Sequence, residues 1–283
     1  MTEVKITSVG YQGEIGAYSQ EATAALFPES AAHGYRTFRL ALEALGSGEI
    51  EAAVLPVENS LGGVVQGVSD LLWETADISL QQEYVHPIIH ALIGYPDTPI
   101  SEAKSHPQAL AQCRHWLHQN GIEPIEGYDT AGCVRELLEQ PIAGRAAIAS
   151  LSAAQHYGLT ILEPGIQDDD SNRTRFVVVR RGVPRRPAAG RPGDLCSLAF
   201  VTTNQPGSLV HALKCFEKRS VNLTRLDSRP LGKIPFKYRF YLDIEIGDPQ
   251  TAEAALTDLE DCAAEVRLFG TYPAFSERSG GKY

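Results

Sequence analysis

The residues best suited to chemistry form one polar run, Asn172 to Phe176, at the start of an apolar β-type segment. Thr174 carries a hydroxyl that can give or accept a proton, and Arg175 carries a planar guanidinium that matches a carboxylate. Together these groups could bind a carboxylate and exchange a proton. Threonine and arginine are also common at strand edges, so the run by itself favours a structural role over a functional one.

A glycine-rich loop between a predicted strand and a predicted helix is a second candidate site. Gly10, Gly13 and Gly16 are followed by Tyr18 and Ser19. Glycines at such a position allow backbone amides to approach an anion at a helix N-terminus. The spacing matches neither the dinucleotide fingerprint nor the P-loop, so the loop by itself slightly favours a tight turn.

Two further stretches place polar side chains where strands end and helices begin. Glu58 to Ser60 follow the strand-like AAVLPV, and α/β sheets bind ligands at the carboxyl ends of their strands. Ser105 to Gln108 have capping-box spacing, and Gln112 lies one turn further on the same helix face. A helix cap explains Ser105 to Gln108 but not Gln112, and Asn59 or Ser60 could equally be an N-cap.

The charge balance limits the partners. The chain has 25 Lys and Arg against 35 Asp and Glu, a formal net charge of −10. This sign disfavours nucleic acid and anionic membranes as partners. A small anionic ligand would also be repelled at long range, so its site must supply local donors such as an arginine or a helix N-terminus.

Several classes of protein are disfavoured by missing patterns. The N-terminal segment lacks a basic stretch followed by an apolar run, and no segment approaches about 18 uninterrupted apolar residues, so we expect a cytosolic protein. The five cysteines are widely spaced without a CxxC pair, which predicts reduced thiols. The histidines form no HExxH pattern and no nucleophile elbow is present, so we expect neither a metal nor a cofactor.

Length and patterning predict two domains of different class. A chain of 283 residues lies near the size at which single cores divide. Before Arg180, short β-rich runs alternate with helix-length segments, which predicts an α/β architecture with mostly parallel sheets. Arg180 to Asp194 are rich in arginine, proline and glycine and indicate an extended, solvated linker. The remaining pattern is βαββαβ, the ferredoxin-like plan, with Asp248 and Pro249 opening its second helix.

Taken in order, these stretches resemble the prephenate dehydratase family. The matching residues are Tyr18-Ser19, Glu58-Asn59-Ser60 with Gly62, Ser105-His106-Pro107-Gln108 with Gln112-Cys113, and Asn172-x-Thr174-Arg175-Phe176. Past the linker, two segments resemble the signatures of the amino-acid-binding ACT module of that family: Pro206-Gly207-Ser208-Leu209 and Leu226-Asp227-Ser228-Arg229-Pro230. The resemblance covers almost the whole chain, with Ser208 and Asp227 replacing the family's usual Ala and Glu.

The resemblance implies a catalytic domain over residues 1–181 with a fold like the type 2 periplasmic binding proteins, two α/β lobes around a ligand cleft. Lobe one would comprise about 1–78 and 166–181, and lobe two about 79–165. Residues 182–194 would be the linker and 195–283 the ACT regulatory domain. Because the chain begins directly on its first strand, we expect a monofunctional protein without the chorismate mutase domain of some relatives.

The implied reaction is a lyase reaction in phenylalanine biosynthesis, the conversion of prephenate to phenylpyruvate, water and carbon dioxide. Thr174 would act as, or relay, the general acid, oriented together with the leaving hydroxyl by Asn59, Ser105 and Gln112. Arg175 would clamp a substrate carboxylate. The other implied substrate-binding residues are Tyr18, Ser19, Glu58, Ser60, Thr130 and Phe176.

The ACT module implies feedback by phenylalanine, bound between modules of a homodimer or homotetramer. Gly207 would let the backbone approach the effector, and the other implied contacts are Ser208, Leu209, Asn222, Leu226, Asp227, Ser228, Arg229 and Pro230. Three alternatives remain open. They are an arogenate dehydratase, a solute-binding protein, against which the missing signal peptide argues, and a non-catalytic amino-acid sensor, which would not need Thr174.

Overall fold

The computed structural model describes residues 5–188, 193–203, 205–231 and 237–275, and of Gln66 it describes only the backbone. In chain order the elements are β1 (Ser8–Gln12), α1 (Tyr18–Leu26), β2 (Ala31–Tyr35), α2 (Phe38–Ser47), β3 (Ala52–Asn59), β4 (Gly63–Val64), α3 (Gln66–Glu74), β5 (Ile78–Pro87), β6 (Ala91–Gly94), β7 (Glu102–Ser105), α4 (Pro107–Gln112), α5 (Arg114–Gln119), β8 (Glu123–Glu126), α6 (Thr130–Glu139), β9 (Arg145–Ala149), α7 (Leu151–Tyr157), β10 (Thr160–Pro164), β11 (Arg173–Arg181), β12 (Leu195–Val201), α8 (Ser208–Glu217), β13 (Leu223–Pro230), β14 (Tyr238–Glu245), α9 (Pro249–Cys262) and β15 (Glu265–Tyr272). The chain divides into two compact units, Met1–Val65 with Tyr84–Phe176, and Gln66–Glu83 with Val177–Tyr283. In the described ranges, no helix is long and apolar enough to cross a membrane.

The first sheet has the strand order β2-β1-β3-β11-β5, with the short β4 beside β3. β1 pairs in parallel with both β2 and β3. Residues Ala52 to Val57 of β3 are all buried, which is the pattern of a parallel strand covered on both faces. Strands β5 and β11 each continue from one unit into the other.

Two helices beside this sheet begin in different ways. α2 is capped by Thr37, whose hydroxyl accepts a hydrogen bond from the Leu40 amide, and it ends at Gly48 in the left-handed region. α1 follows Ala17, which provides no side-chain cap. The amides of the first turn of α1 are therefore not claimed by a capping side chain.

The second sheet has the order β10-β6-β9-β7-β8 and lies within the first unit. β7 is parallel to β8 and β9, whereas β6 is antiparallel to β9 and β10. Its two faces are covered by apolar clusters, one including Val134 and Ala153 and the other Leu110 and Leu117. The predicted α/β class is confirmed, with a partly antiparallel second sheet.

The C-terminal residues form the predicted βαββαβ unit, with an antiparallel sheet ordered β13-β14-β12-β15. One face of this sheet packs on α8 and α9 through a core that includes Phe200, Phe216 and Leu242. Asp248 caps α9 by accepting from the Thr251 amide, as the sequence predicts.

The other face of the C-terminal sheet carries the polar side chains Arg239 and Tyr241, and α3 contacts it within the second unit. The Tyr241 hydroxyl donates to the Ser69 carbonyl at 2.8 Å. The Arg239 guanidinium lies 4.1 Å from the centre of the Trp73 ring, a cation–π contact. Helix α3 is therefore attached to the C-terminal module, although it precedes that module by more than a hundred residues in the chain.

The expected boundary between the lobes was placed too early. β5 belongs to the first sheet, so the chain passes to the second sheet after Pro87 and not near residue 79. The turn at Asp77, which has a φ of 52°, comes directly before β5, but the strand then runs from Ile78 to Pro87 before the chain leaves the first sheet. The domain boundaries expected from the sequence, 1–181, 182–194 and 195–283, remain a prediction.

In the described part of the predicted linker, Arg186 contacts the C-terminal module. Arg186 pairs with Glu253 and Glu260 of α9 at 2.6 and 2.7 Å. Residues 189–192 lie outside the described residues. The five cysteines are not joined in disulfides in the structure, and four of them are buried. The expectation of reduced thiols remains a prediction.

Candidate functional site

A cavity of about 560 Å³ opens in the first unit where strands of the first sheet end. This volume is within the usual range for small-molecule sites. Gln12 at the end of β1 and Asn59 at the end of β3 line it, as expected for the carboxyl ends of strands in an α/β sheet. Residues that follow strands of the second sheet, including His106 and Tyr128, complete the lining.

The electrostatics of the cavity favour an anion. Tyr18, Phe38 and Thr130 are the first residues of α1, α2 and α6, and all three line the cavity, so three helix N-termini border it. Among the described lining residues, Arg36 is the only Arg or Lys and Asp129 the only carboxylate. Asp129 is already engaged, because it accepts the Gly132 amide at 2.9 Å as the cap of α6.

Thr174 and Asn59 meet on the cavity wall. The Asn59 Nδ2 donates to Thr174 Oγ1 at 3.0 Å and to Asn172 Oδ1 at 2.8 Å. Both Asn59 and Thr174 are buried to more than nine-tenths, with 7% and 8% of their surfaces exposed. Since Thr174 accepts from Asn59, its own hydrogen is free to point towards a ligand.

A second group of polar residues adjoins Asn59. Gln112 Nε2 lies 3.4 Å from Asn59 Oδ1, and Gln112 Oε1 lies 2.8 Å from His90 Nε2. His90 Nδ1 in turn lies 2.8 Å from the Tyr18 hydroxyl. Burial lowers the pKa of His90, and the hydrogen bond with Gln112 offsets only part of this. Burial, followed by the nearby Glu21 and Cys113, raises the pKa of Tyr18 well above its ordinary value.

Most of the predicted substrate residues lie together at this cavity. Besides Asn59, Gln112 and Thr174, the lining includes Tyr18, Ser19, Thr130 and Phe176. These residues come from α1, α6 and β11, which are far apart in the sequence. The fold therefore brings together motifs that, taken singly, do not indicate a functional site.

Arg175 and Glu58 are not placed as the sequence predicts. Neither lines the cavity, and the Arg175 Nε lies 3.4 Å from Glu58 Oε2. Successive side chains of a strand point to opposite faces, so Arg175 faces away when Thr174 and Phe176 face the cavity. The expectation that Arg175 clamps a substrate carboxylate is corrected accordingly.

Ser60 and Ser105 also make structural contacts instead of lining the cavity. The Ser60 hydroxyl accepts from the Arg173 amide at 2.9 Å, which joins the end of β3 to the start of β11. The fully buried Ser105 donates to the Ile148 carbonyl at 2.6 Å. The cap of α4 is His106, whose ring accepts from the Gln108 amide, so the predicted capping box at Ser105 is wrong by one residue.

The predicted effector residues divide between two faces of β13. The burial of this strand alternates, with Leu226, Ser228 and Pro230 exposed and the residues between them partly covered. Asp227 pairs with Arg225 at 2.6 Å, and Arg229 pairs with Asp70 of α3 at 2.9 Å. These two signature residues thus lie on the face that contacts α3.

The other predicted effector residues lie at the start of α8 and before β13. Gly207 has a φ of 82° and precedes Ser208 and Leu209 in the first turn of α8. Asn222 is engaged with Glu245, whose carboxylate accepts at 2.9 Å.

Arg36 and His90 are lining residues that sequence reasoning did not select. Arg36 follows β2, whose residues Ala31 to Tyr35 are mostly exposed and have no apolar alternation. His90 stands in an apolar run without a ligand motif. The charge argument required a local cation, but only the fold identifies Arg36 as the one beside the cavity.

A sequence profile described as prephenate dehydratase matches residues 9–183. This is more than half of the chain. The chain belongs to the prephenate dehydratase family. The matched range contains every predicted catalytic and substrate-binding residue.

Curated relatives of the prephenate dehydratase family carry two kinds of name. Arogenate dehydratase 2 of Petunia hybrida is 37% identical, with 97% of this chain and 74% of that protein covered. Prephenate dehydratase of Methanocaldococcus jannaschii is 38% identical, with 78% of this chain and 81% of that protein covered.

Solved structures extend the likeness to the C-terminal module. The prephenate dehydratase of Arthrobacter aurescens in complex with L-Phe has a TM-score of 0.84 and 27% identity, over 94% of this chain and 90% of that one. A structure described as GqqA, a novel type of quorum quenching acylase, has a TM-score of 0.85 and 33% identity, over 96% and 99% of the two chains. The prephenate dehydratase fold is therefore shared over nearly the full length.

Proposed function

We propose that this protein converts prephenate to phenylpyruvate, carbon dioxide and water as a step of phenylalanine biosynthesis. The observation that carries the proposal is the Thr174 hydroxyl, which lines the cavity and accepts from Asn59 at 3.0 Å. Its hydrogen is therefore available to a ligand. Family membership and the named prephenate dehydratase relatives support the same reaction.

The reaction needs positioning and one proton. The bond between the ring and the departing carboxylate breaks, and its electron pair enters the ring as the carbon–oxygen bond of the ring hydroxyl breaks. The departing hydroxide takes a proton and leaves as water, and carbon dioxide is released. Because aromatisation supplies the driving force, orientation and electrostatic stabilisation account for most of the acceleration.

Thr174 is proposed to donate to the departing hydroxyl. A threonine hydroxyl is a very weak acid in water, so it needs a leaving group that aromatisation has already primed. The Asn59 amide helps, because a hydroxyl that accepts a hydrogen bond becomes a better donor. The proton that Thr174 gives up, or relays, is restored from solvent after the product leaves.

Arg36 and the helix N-termini are proposed to hold the carboxylate that survives the reaction. Arg36 is the lining cation, and α1, α2 and α6 begin at the same cavity. The carboxylate that leaves as carbon dioxide loses its charge, so it is better placed against apolar wall residues. Such residues are Pro56, Val65, Ile88 and Phe176.

Arogenate is the second candidate substrate, because relatives are named for it and because Asp129 lines the cavity. Arogenate carries an ammonium group where prephenate has a keto oxygen, and a carboxylate could accept from it. Asp129 already accepts from the Gly132 amide, which leaves one oxygen for that purpose. We favour prephenate because the other features of the lining suit an anion without a cationic group.

We infer that phenylalanine inhibits the enzyme through the C-terminal module, in a homodimer or homotetramer. The L-Phe complex of the Arthrobacter aurescens relative supports an effector of this kind. Gly207, Leu226 and Ser228 are the residues proposed to border it, since Leu226 and Ser228 are exposed on β13. The cytosolic location expected from the sequence remains a prediction.

Product analysis of the purified full-length protein tests this function. Incubation with prephenate at neutral pH is expected to produce phenylpyruvate, detected by its absorbance in alkali, and added phenylalanine is expected to lower the rate. Incubation with arogenate serves as the matched assay. A higher kcat/KM on arogenate than on prephenate would show that arogenate is the preferred substrate. If the protein converts neither compound, the proposal is refuted.

A further inference from the structure

The direction of the hydrogen bonds beneath the cavity can be assigned from Asn59. Its Oδ1 receives the backbone amides of Leu61 and Gly62 at 3.1 and 2.7 Å. A backbone N–H only donates, so the atom that faces them must be the carbonyl oxygen. These contacts identify which end of the Asn59 amide is oxygen and place its nitrogen towards Thr174.

The same logic fixes Gln112. Its amide end lies 3.4 Å from Asn59 Oδ1, an acceptor, so the group placed there is the NH₂ donor. Gln112 Oε1 then faces His90 Nε2 at 2.8 Å. A carbonyl oxygen only accepts, so His90 must carry a hydrogen on Nε2.

The remaining ring nitrogen of His90 faces Tyr18. The Tyr18 hydroxyl lies 2.8 Å from His90 Nδ1 and 2.9 Å from the Ile89 carbonyl. His90 is 2% exposed, and burial disfavours its charged form. A neutral ring with its hydrogen on Nε2 has a bare Nδ1, so the Tyr18 hydroxyl shares its single hydrogen between this nitrogen and the Ile89 carbonyl.

We propose that His90 is a positioning residue, which holds Gln112 as the neutral Nε2–H tautomer and so keeps the amide of Asn59 directed at Thr174. It acts without touching the substrate's reacting atoms. The inference rests on the proposed function for its effect on rate, but the tautomer itself does not. Without the His90 donor, the side-chain amide of Gln112 can flip so that its oxygen and nitrogen exchange places. The Asn59 Oδ1 then loses one of its three donors.

Two amide replacements separate this role from a purely structural one. In His90→Gln the side-chain nitrogen reaches about as far as Nε2 and can donate to Gln112. In His90→Asn the amide reaches only as far as Nδ1, next to Tyr18. Both variants place a neutral amide in the same buried position, and they differ by one methylene. Each therefore serves as the control for the other's effect on folding.

Steady-state kinetics on prephenate, with melting temperatures as a folding control, test the proposal. We expect His90→Gln to keep kcat within about threefold of the wild type and His90→Asn to lose about tenfold or more, because small misplacements of a catalytic group have large effects on rate. KM should change by less than about threefold in both, since binding does not use His90 in this account. Equal kcat values in the two variants, at similar melting temperatures, would overturn it.

Nitrogen NMR of the histidine rings in the wild-type protein gives an answer that does not depend on turnover or on the folding of a variant. We expect the His90 ring to show a protonated Nε2 and an unprotonated Nδ1 at neutral pH. A hydrogen on Nδ1, alone or together with Nε2, would overturn the inference. Absence of prephenate turnover with this tautomer present would instead refute the proposed function and leave the assigned bonds intact.

Discussion

Along β11 the side chains alternate between two environments that differ in chemistry. Thr174 and Phe176 line the cavity, whereas Arg175 lies between them in the sequence and is paired with Glu58. The ion pair holds the strand that carries Thr174 next to β3, which carries Asn59. Arg175 therefore stabilises the pairing of the two strands that carry Thr174 and Asn59, and it does not contact the ligand.

How much of the site the sequence predicts depends on the kind of residue. Asn59, Gln112 and Thr174 are recognisable because they belong to motifs. The position of Arg175 was predictable in principle, since the period of two in a strand excludes it from the face of Thr174. His90 and Arg36 were not predictable, because their importance comes from a partner or a cavity assembled only by the tertiary fold.

Arg36 should affect substrate binding more than the chemical step. We expect Arg36→Gln to raise KM for prephenate at least about tenfold, because a charge-assisted contact to a carboxylate contributes roughly 1.5–3 kcal/mol. Arg39→Gln is the matched control, since Arg39 lies only three residues after Arg36, in the first turn of α2, and does not line the cavity. An unchanged KM in Arg36→Gln would exclude Arg36 as the carboxylate partner.

At the scale of elements, the packing of α7 against the loop before α1 fixes the position of that helix. Gly16 has a φ of 87°, and the Ser150 hydroxyl donates to its carbonyl at 2.6 Å. A Cβ on Gly16 would lie 2.5 Å from the Cα of Ala153, which is backbone and cannot move aside easily. Conformation and contact both require glycine at this position.

Replacement of Gly16 by alanine should destabilise the fold by about 2–4 kcal/mol, combining left-handed strain with overpacking. Gly158 provides the matched control, because it has a φ of 69° with nothing within 4 Å of an added Cβ. Gly158→Ala should cost only about 1–2 kcal/mol. Denaturant unfolding measures both, and equal losses would contradict the contact with Ala153.

The contact between α3 and the C-terminal sheet suggests how an effector could influence the active site. Arg229 pairs with Asp70 of α3 and belongs to the same strand as the exposed Leu226 and Ser228. α3 begins directly after Val65, which lines the cavity. An effector changes activity only through different affinities for two states, so a contact that differs between them is required.

We expect Asp70→Asn to weaken inhibition by phenylalanine several-fold while the uninhibited kcat stays unchanged, because the ion pair with Arg229 is lost. Asp258→Asn removes a comparable ion pair with Arg219 inside the C-terminal module and should leave inhibition unchanged. Inhibition curves with and without phenylalanine provide the measurement. Wild-type inhibition in Asp70→Asn would rule out this ion pair as the coupling element.

For the whole molecule, the sequence predicts the α/β class and the βαββαβ module correctly, because both have strong periodic patterns and well-defined caps. It does not predict that β5 belongs to the first sheet or that α3 groups with the C-terminal module, since these depend on long-range contacts. The net charge of −10 disfavours polyanions but permits a small dianion at a local positive site. Three helix N-termini and Arg36 supply that site.

The central claim is that the Thr174 hydroxyl drives departure of the ring hydroxyl, and the rate of phenylpyruvate formation from prephenate tests it most directly. We expect Thr174→Ala to lower kcat at least about 100-fold, the scale of a positioned acid, with Thr174→Ser retaining most of the activity because it keeps the hydroxyl. Circular dichroism should show both variants folded. Near-normal kcat in a folded Thr174→Ala variant would contradict the account.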